Sequence, residues 1–171
     1  MKSTRPSILR ILPVLLIGVA LVLFGLAASD ERDFNYSLIE TGLYMGGDVA
    51  KPPPGTNAVL NLCGKKDLYS CEIHAWESIR DTDPAPDLAW LRRQVEFIEA
   101  RRKAGDTVYV HCRNGVSRSG LVVVAYEMYK HNWTRDEALK FVRSKRPITR
   151  PNPAFMKRLL EWEQLVLKRS A

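Results

Sequence analysis

Val108-Tyr109-Val110-His111-Cys112-Arg113-Asn114-Gly115-Val116-Ser117-Arg118-Ser119-Gly120, running on into Leu121-Val122-Val123-Val124-Ala125, is the stretch that decides the fold. Its opening residues are β-branched or aromatic and read as a buried strand over Thr107 to His111. Its closing run is continuously apolar and reads as a buried helix from about Ser119 to Lys130. Between them stand a cysteine at the strand end, five residues, and an arginine at the helix start. Five residues suffice to curl the backbone into a cup with inward N–H groups, and the helix adds its positive N-terminal dipole there. Gly115 permits a positive φ within the curl.

Outward from this unit, Leu43 to Gly47 and Ala58 to Leu62 read as short strands separated by the Pro52-Pro53-Pro54-Gly55 turn, and His74 to Ile79 as a third strand. Leu88, Leu91, Val95 and Ile98 fall on one helical face, with Asp87 as N-cap and Gly105 as the stop. Thr134-Arg135-Asp136-Glu137 is a capping box, and Asn152 with Pro153 opens a last helix. Strands alternating with helices, then a helical tail, predict an α/β fold with a central, mostly parallel sheet flanked by helices. The chain of 171 residues has room for one such domain, expected over 38–171 and beginning near Leu38, plus a short appendage.

A cup of this kind suits a phosphate dianion, with Arg113, Asn114, Gly115, Val116, Ser117 and Arg118 around it. The same field favours a thiolate on Cys112, so the nucleophile is charged near neutral pH. Arg118 can hold two phosphoryl oxygens in its planar fork, which lysine does not reproduce. Ser119 is placed to hydrogen-bond the sulfur as it becomes a leaving group. His111 reads both as a satisfied core histidine and as a residue orienting the cysteine, and not as a base. Singly, each residue has a bland explanation in core packing, capping or surface charge; the ten together do not.

These residues resemble the active-site loop of the protein tyrosine phosphatase superfamily, in its dual-specificity branch. The resemblance extends over roughly 38–165. Leu43-Tyr44-Met45-Gly46 is similar to the family's opening strand and Val59-Leu60-Asn61-Leu62 to its next. Arg146-Pro147, Pro151-Asn152-Pro153 and Phe155 resemble the lead into its last helix. It implies a phosphoric monoester hydrolase acting through a phosphocysteine on Cys112, on phosphotyrosine and phosphoserine or phosphothreonine proteins, without cofactor. A phosphoinositide phosphatase at a membrane surface and a phospho-binding pseudophosphatase are the alternatives. The loop's single inner basic residue, Arg113, speaks against a highly charged headgroup, and the presence of Cys112, Arg118 and a suitable aspartate against the pseudoenzyme. A nucleic-acid substrate is not expected, because no aromatic platform interleaves the basic residues.

Transfer of a phosphoryl group to sulfur expels an alkoxide or phenoxide, so a carboxylic acid must protonate the leaving oxygen. Family members carry this aspartate about thirty residues before the cysteine. Asp81, 31 residues before Cys112, fits best, with Asp83 the alternative and Asp87 explained as a helix cap. The resemblance also marks Cys63 as a redox partner for Cys112; its plainer reading is a buried core cysteine. In an oxidising compartment Cys63 pairs instead with Cys71.

The remaining features bound partners. The net charge of +7 favours anionic ones. Arg135, Lys140, Arg143, Lys145, Arg146 and Arg150 read first as an ordinary solvated helix face, and second as a surface for acidic substrates or anionic membrane. The three cysteines form no C-x-x-C pair and the three histidines lack zinc-ligand spacing, so no metal is expected. Residues 1–10 are basic, and 11–28 form an uncharged apolar run that as a helix rises roughly 27 Å, nearly a hydrocarbon core. It reads as a single-pass transmembrane anchor, or else as a cleavable signal peptide. Residues 29–37 read as a polar linker. Basic residues before the span and Asp30, Glu31 and Asp33 after it predict an extracytoplasmic catalytic domain.

Overall fold

The computed structural model describes residues 35–168. The predicted anchor at 11–28, the basic segment before it and most of the linker lie outside the described residues. Among those described, no helix is long and apolar enough to cross a membrane.

Five strands form one sheet: β1 (Tyr36–Glu40), β2 (Leu43–Gly46), β3 (Ala58–Asn61), β4 (Ile73–Trp76) and β5 (Val108–His111), in spatial order β1-β2-β5-β3-β4. β1 pairs antiparallel with β2, and every other junction is parallel. The parallel centre is as expected for β-helix-β connections, and the antiparallel edge makes the sheet mixed. Every residue of β3 and β5 is buried, so both faces of the central strands are covered.

Four helices cover it: α1 (Leu88–Lys103), α2 (Arg118–His131), α3 (Arg135–Lys145) and α4 (Pro153–Leu167). Local chemistry sets their ends. Asp87 Oδ1 accepts from Trp90 N at 2.6 Å, Thr134 and Glu137 close the capping box, and Asn152 Oδ1 accepts from Phe155 N at 2.9 Å ahead of Pro153. Beyond α1, Gly105 turns the chain with φ +87. The apolar stripe of α1 buries Leu91, Val95 and Ile98 as its spacing predicted. α2 is buried from Ser119 to Met128 and packs against all three other helices and strands β2 and β5. A fully buried aliphatic side chain stabilises by roughly 1.5–3 kcal/mol, so α2 is the principal anchor of the core.

One strand was not expected from the sequence, and another is shorter than its reading. β1 begins at Tyr36, inside the stretch read as linker. It is an edge strand with only Ile39 buried, so it lacks a strong alternating signal. The strand expected over His74–Ile79 ends at Trp76. Its partner β3 ends at Asn61, and after Glu77 N bonds Asn61 O at 2.9 Å the chain leaves the sheet and travels toward the cup.

Candidate active site

The loop between β5 and α2 is the cup. Cys112 is 2% exposed at its base, its N–H donating to Gly46 O at 3.2 Å. Its Sγ lies 3.4 Å from Ser119 Oγ. Burial alone raises a thiol pKa, but the Ser119 hydroxyl, the Ser119 and Val116 N–H groups and the Arg118 charge together outweigh it. The Cys112 thiol is therefore held below its ordinary value. Gly115 sits at φ +66, and a Cβ there would meet Gly46 C at 2.4 Å and Gly47 N at 2.6 Å. The loop thus rests against the end of β2, where Asp48 N bonds Arg113 O at 2.9 Å.

Arg118 reaches across the cup. Its Nη1 donates to Leu62 O at 3.3 Å and Ile79 O at 3.5 Å, which fixes one edge of the guanidinium. Its Nε is buried and has no hydrogen-bond partner among the described residues, an orphan donor of the kind an anionic ligand satisfies. Asp81 Oδ2 stands 3.8 Å from that Nε. Asp81 Oδ1 accepts from Ser117 Oγ at 2.6 Å and Asn152 Nδ2 at 2.8 Å. The carboxylate is thereby bolted to the loop itself. Asp83 is exposed and shares none of these contacts, while Asp87 caps α1. A cavity of about 440 Å³ beside the cup is lined by Asp48, Cys63, Gly64, Lys65, Arg113 and Arg118.

Two supports escaped the sequence reading. Arg146, grouped there with a solvated basic face, is 5% exposed. It donates from Nε to Gly115 O at 2.7 Å, from Nη2 to Asn35 Oδ1 at 2.7 Å and Asn114 O at 3.3 Å, and from Nη1 to Ser37 Oγ at 3.3 Å. The Arg-Pro pair at 146 and 147 was the only signal, since helical periodicity ends at Lys145. The second support is Asp67, whose Oδ2 lies 3.1 Å from His111 Nε2, 2.8 Å from His74 Nε2 and 2.8 Å from Asn61 Nδ2. His111 is fully buried, stacked on Tyr109 at 5.0 Å, with Nδ1 3.8 Å from Cys63 Sγ. Burial lowers its pKa despite Asp67, so the ring is held neutral. No local pattern announces Asp67, which lies in an irregular loop. All three cysteines are unbridged.

Comparison with known proteins converges on one family. The dual specificity phosphatase catalytic domain model matches residues 56–165. Human Protein phosphatase Slingshot homolog 2 is 34% identical over 115 residues, which is 66% of this chain and 8% of that protein. Human Dual specificity protein phosphatase 1 is 38% identical over 115 residues, 66% of this chain and 31% of that protein. The match thus spans less than a third of either relative. The crystal structure of human DUSP28 superposes with a TM-score of 0.70 at 27% identity, covering 77% of this chain and 95% of that one. With β5, the cup and α2 all inside the matched segment, the chain belongs to the dual specificity phosphatase catalytic-domain family.

Proposed function

We propose that this chain hydrolyses phosphomonoesters on phosphotyrosine and on phosphoserine or phosphothreonine proteins through a phosphocysteine on Cys112. The observation that carries it is the convergence of Cys112, Ser119, Arg118 and Asp81 on one loop. The phosphate dianion sits in the cup against the inner N–H groups, with Arg118 Nε and its remaining N–H donors on the equatorial oxygens. The Cys112 thiolate attacks phosphorus in line, the P–O bond to the leaving group breaks, and Asp81 gives its proton to the departing oxygen. Asp81 then takes a proton from water, which attacks the phosphocysteine and releases inorganic phosphate. Ser119 stabilises the sulfur as it leaves in that second step.

The same proposal places the protein at a membrane through residues 11–28, with the catalytic domain on the extracytoplasmic side, and pairs Cys63 with Cys112 under oxidation. The support is the charge pattern around the apolar run and the position of Cys63 on the cavity wall. The test is phosphate release by the full chain from phosphotyrosine and phosphothreonine peptides and from phosphoinositide vesicles. Cys112→Ser abolishes release, and Asp81→Asn lowers kcat by about 10²–10⁴-fold with peptide substrates. Release from vesicles in preference to peptides establishes the lipid alternative instead. Tight phosphate-analogue binding without release from any substrate overturns the enzymatic reading in favour of a phospho-binding module.

A further inference from the structure

At the end of α2 remote from the cup, Glu127 and His131 stand one helical turn apart, and Glu40 closes β1 beside them. One ligating atom from each of the three lies within 4.8 Å of the others. Glu127 is 0% exposed, and neither of its oxygens accepts a hydrogen bond from any described residue. His131 Nε2 faces its Oε2 at 3.3 Å. Glu40 is divided in its duties. Its Oε2 takes the Lys130 ammonium at 2.5 Å, whereas its Oε1 is buried without a partner among the described residues.

A buried carboxylate without donors costs several kcal/mol, so these orphan oxygens require a cation or a proton. The nearby cations already hold other acceptors, although Arg102 Nε has no hydrogen-bond partner among the described residues. Lys130 serves Glu40 Oε2 and lies over the Tyr126 ring at 5.9 Å. From α1, Arg102 donates to the carbonyls of Asp106 and Thr41, and Lys103 pairs with Glu99 at 2.9 Å. The His131 ring is fixed by stacking on Trp133 at 4.2 Å, with Nε2 aimed at the carboxylates.

We propose that Glu40, Glu127 and His131 bind one divalent first-row transition ion of the zinc class, tying the end of β1 to the last turn of α2. Two carboxylate oxygens and one imidazole nitrogen, with water completing the shell, are a donor set that such ions accept. Tetrahedral bonds of about 2.0–2.2 Å require donors roughly 3.4 Å apart, so the set closes by about an ångström through side-chain rotation. Glu40 keeps Lys130 on Oε2 while Oε1 meets the ion, an arrangement in which the ammonium orients the ligating carboxylate. The tie steadies the strand whose other end presents Ser37 to Arg146.

The test uses the full chain, stripped with chelator and titrated with Co²⁺ under visible absorption, then with Zn²⁺ in competition. The expected result is one Co²⁺ per chain with the comparatively intense d–d bands of tetrahedral coordination and no sulfur-to-metal charge transfer. Glu127→Gln and His131→Gln each weaken binding tenfold or more. His131→Gln, at the surface, leaves the ion-free chain with a single cooperative melt, lowered only by the loss of the Trp133 stack, so loss of binding there is not loss of fold. Absence of saturable binding, or binding that survives both substitutions, overturns the proposal. So does a charge-transfer band abolished by Cys112→Ser, which puts the ion in the cup.

Discussion

Arg146 donates through Nε to the carbonyl of Gly115 at 2.7 Å and, with Nη2, to that of Asn114, so a buried guanidinium from the end of α3 holds the cup from behind. The same group grips Asn35 and Ser37 beside β1. The loop's curvature is therefore set by side chains distant in sequence as well as by its own residues. Arg146→Lys keeps the charge but offers one ammonium where four acceptors wait. The expected result is a loss of about 10–100-fold in kcat/KM on phosphopeptide and about 1–3 kcal/mol of stability by urea melts. Exposed Lys140→Ala on the same helix serves as control and changes neither.

Gly115 and Gly55 separate backbone strain from steric blockage. Both have φ near +70, at +66 and +76, but only Gly115 has neighbours a Cβ would strike; around Gly55 nothing lies within 4 Å. An alanine in left-handed backbone costs about 1–2 kcal/mol at either site. Gly55→Ala is therefore expected to lose about that much stability and retain phosphate release. Gly115→Ala must push the loop off Gly46 and Gly47, and is expected to abolish release. Equal activity in the two variants contradicts this account of the loop.

Ser119 supplies the foremost of the effects that lower the Cys112 thiol pKa against burial. Removing its hydroxyl raises that pKa. Because the thiolate is the reacting form, the rising limb of the kcat/KM profile against pH moves to higher pH in Ser119→Ala. The deficit is largest at acid pH and shrinks as pH increases past the new value. A fall in kcat with the kcat/KM profile unmoved shows instead that Ser119 serves only the leaving-group step.

The cup was legible because its information is local. A buried strand, a cysteine, a five-residue curl and an arginine at a helix start are contiguous, and each residue's type is dictated by one short piece of backbone. Helix ends were legible for the same reason, since caps at Asp87, Thr134 and Asn152 act within three residues. Asp81 emerged from spacing within the family resemblance; its holders did not. Ser117 and Asn152 were read as a loop donor and a cap, and their second bonds to Asp81 exist only once the tertiary fold is formed. Arg146 and Asp67 were hidden by their residue types, which are usually solvated, and Glu40, Glu127 and His131 by lying on two elements far apart in sequence.

Asp67 is expected to act on Cys112 at one remove, as a positioning residue. It fixes the Nε2 side of His111 and ties that ring to His74 nearer the surface. Burial lowers the His111 pKa from 6.5, and Asp67 opposes the shift. With a folded value below the unfolded one, the neutral ring's contribution to stability is complete above about pH 6.5 and is lost as pH falls through the folded value. Asp67→Asn removes the opposing charge, so His111 titrates at still lower pH, read directly from imidazole resonances. An unshifted titration contradicts the direct link.

Cys63 shares the cavity wall with Arg118, and its thiol is pushed up to about 12, first by burial and then by the charge on Cys112, with Arg118 opposing. Peroxide transfers an oxygen to the Cys112 thiolate, giving a sulfenic acid and hydroxide. Cys63 sulfur then attacks the Cys112 sulfur, its proton and the hydroxyl leave as water, and the disulfide closes. The neutral sulfenic acid no longer repels a charge on Cys63, but burial still does, so closure requires a thiolate that is scarce at neutral pH. Mass spectrometry after mild peroxide is expected to show a Cys63–Cys112 link forming faster at pH 9 than at pH 7, by up to about a hundredfold where the thiolate fraction sets the rate. In Cys63→Ala, Cys112 advances to the sulfinic acid instead. Cys112 oxidised while Cys63 stays unlinked at both pH values overturns the pairing and leaves Cys63 a core residue.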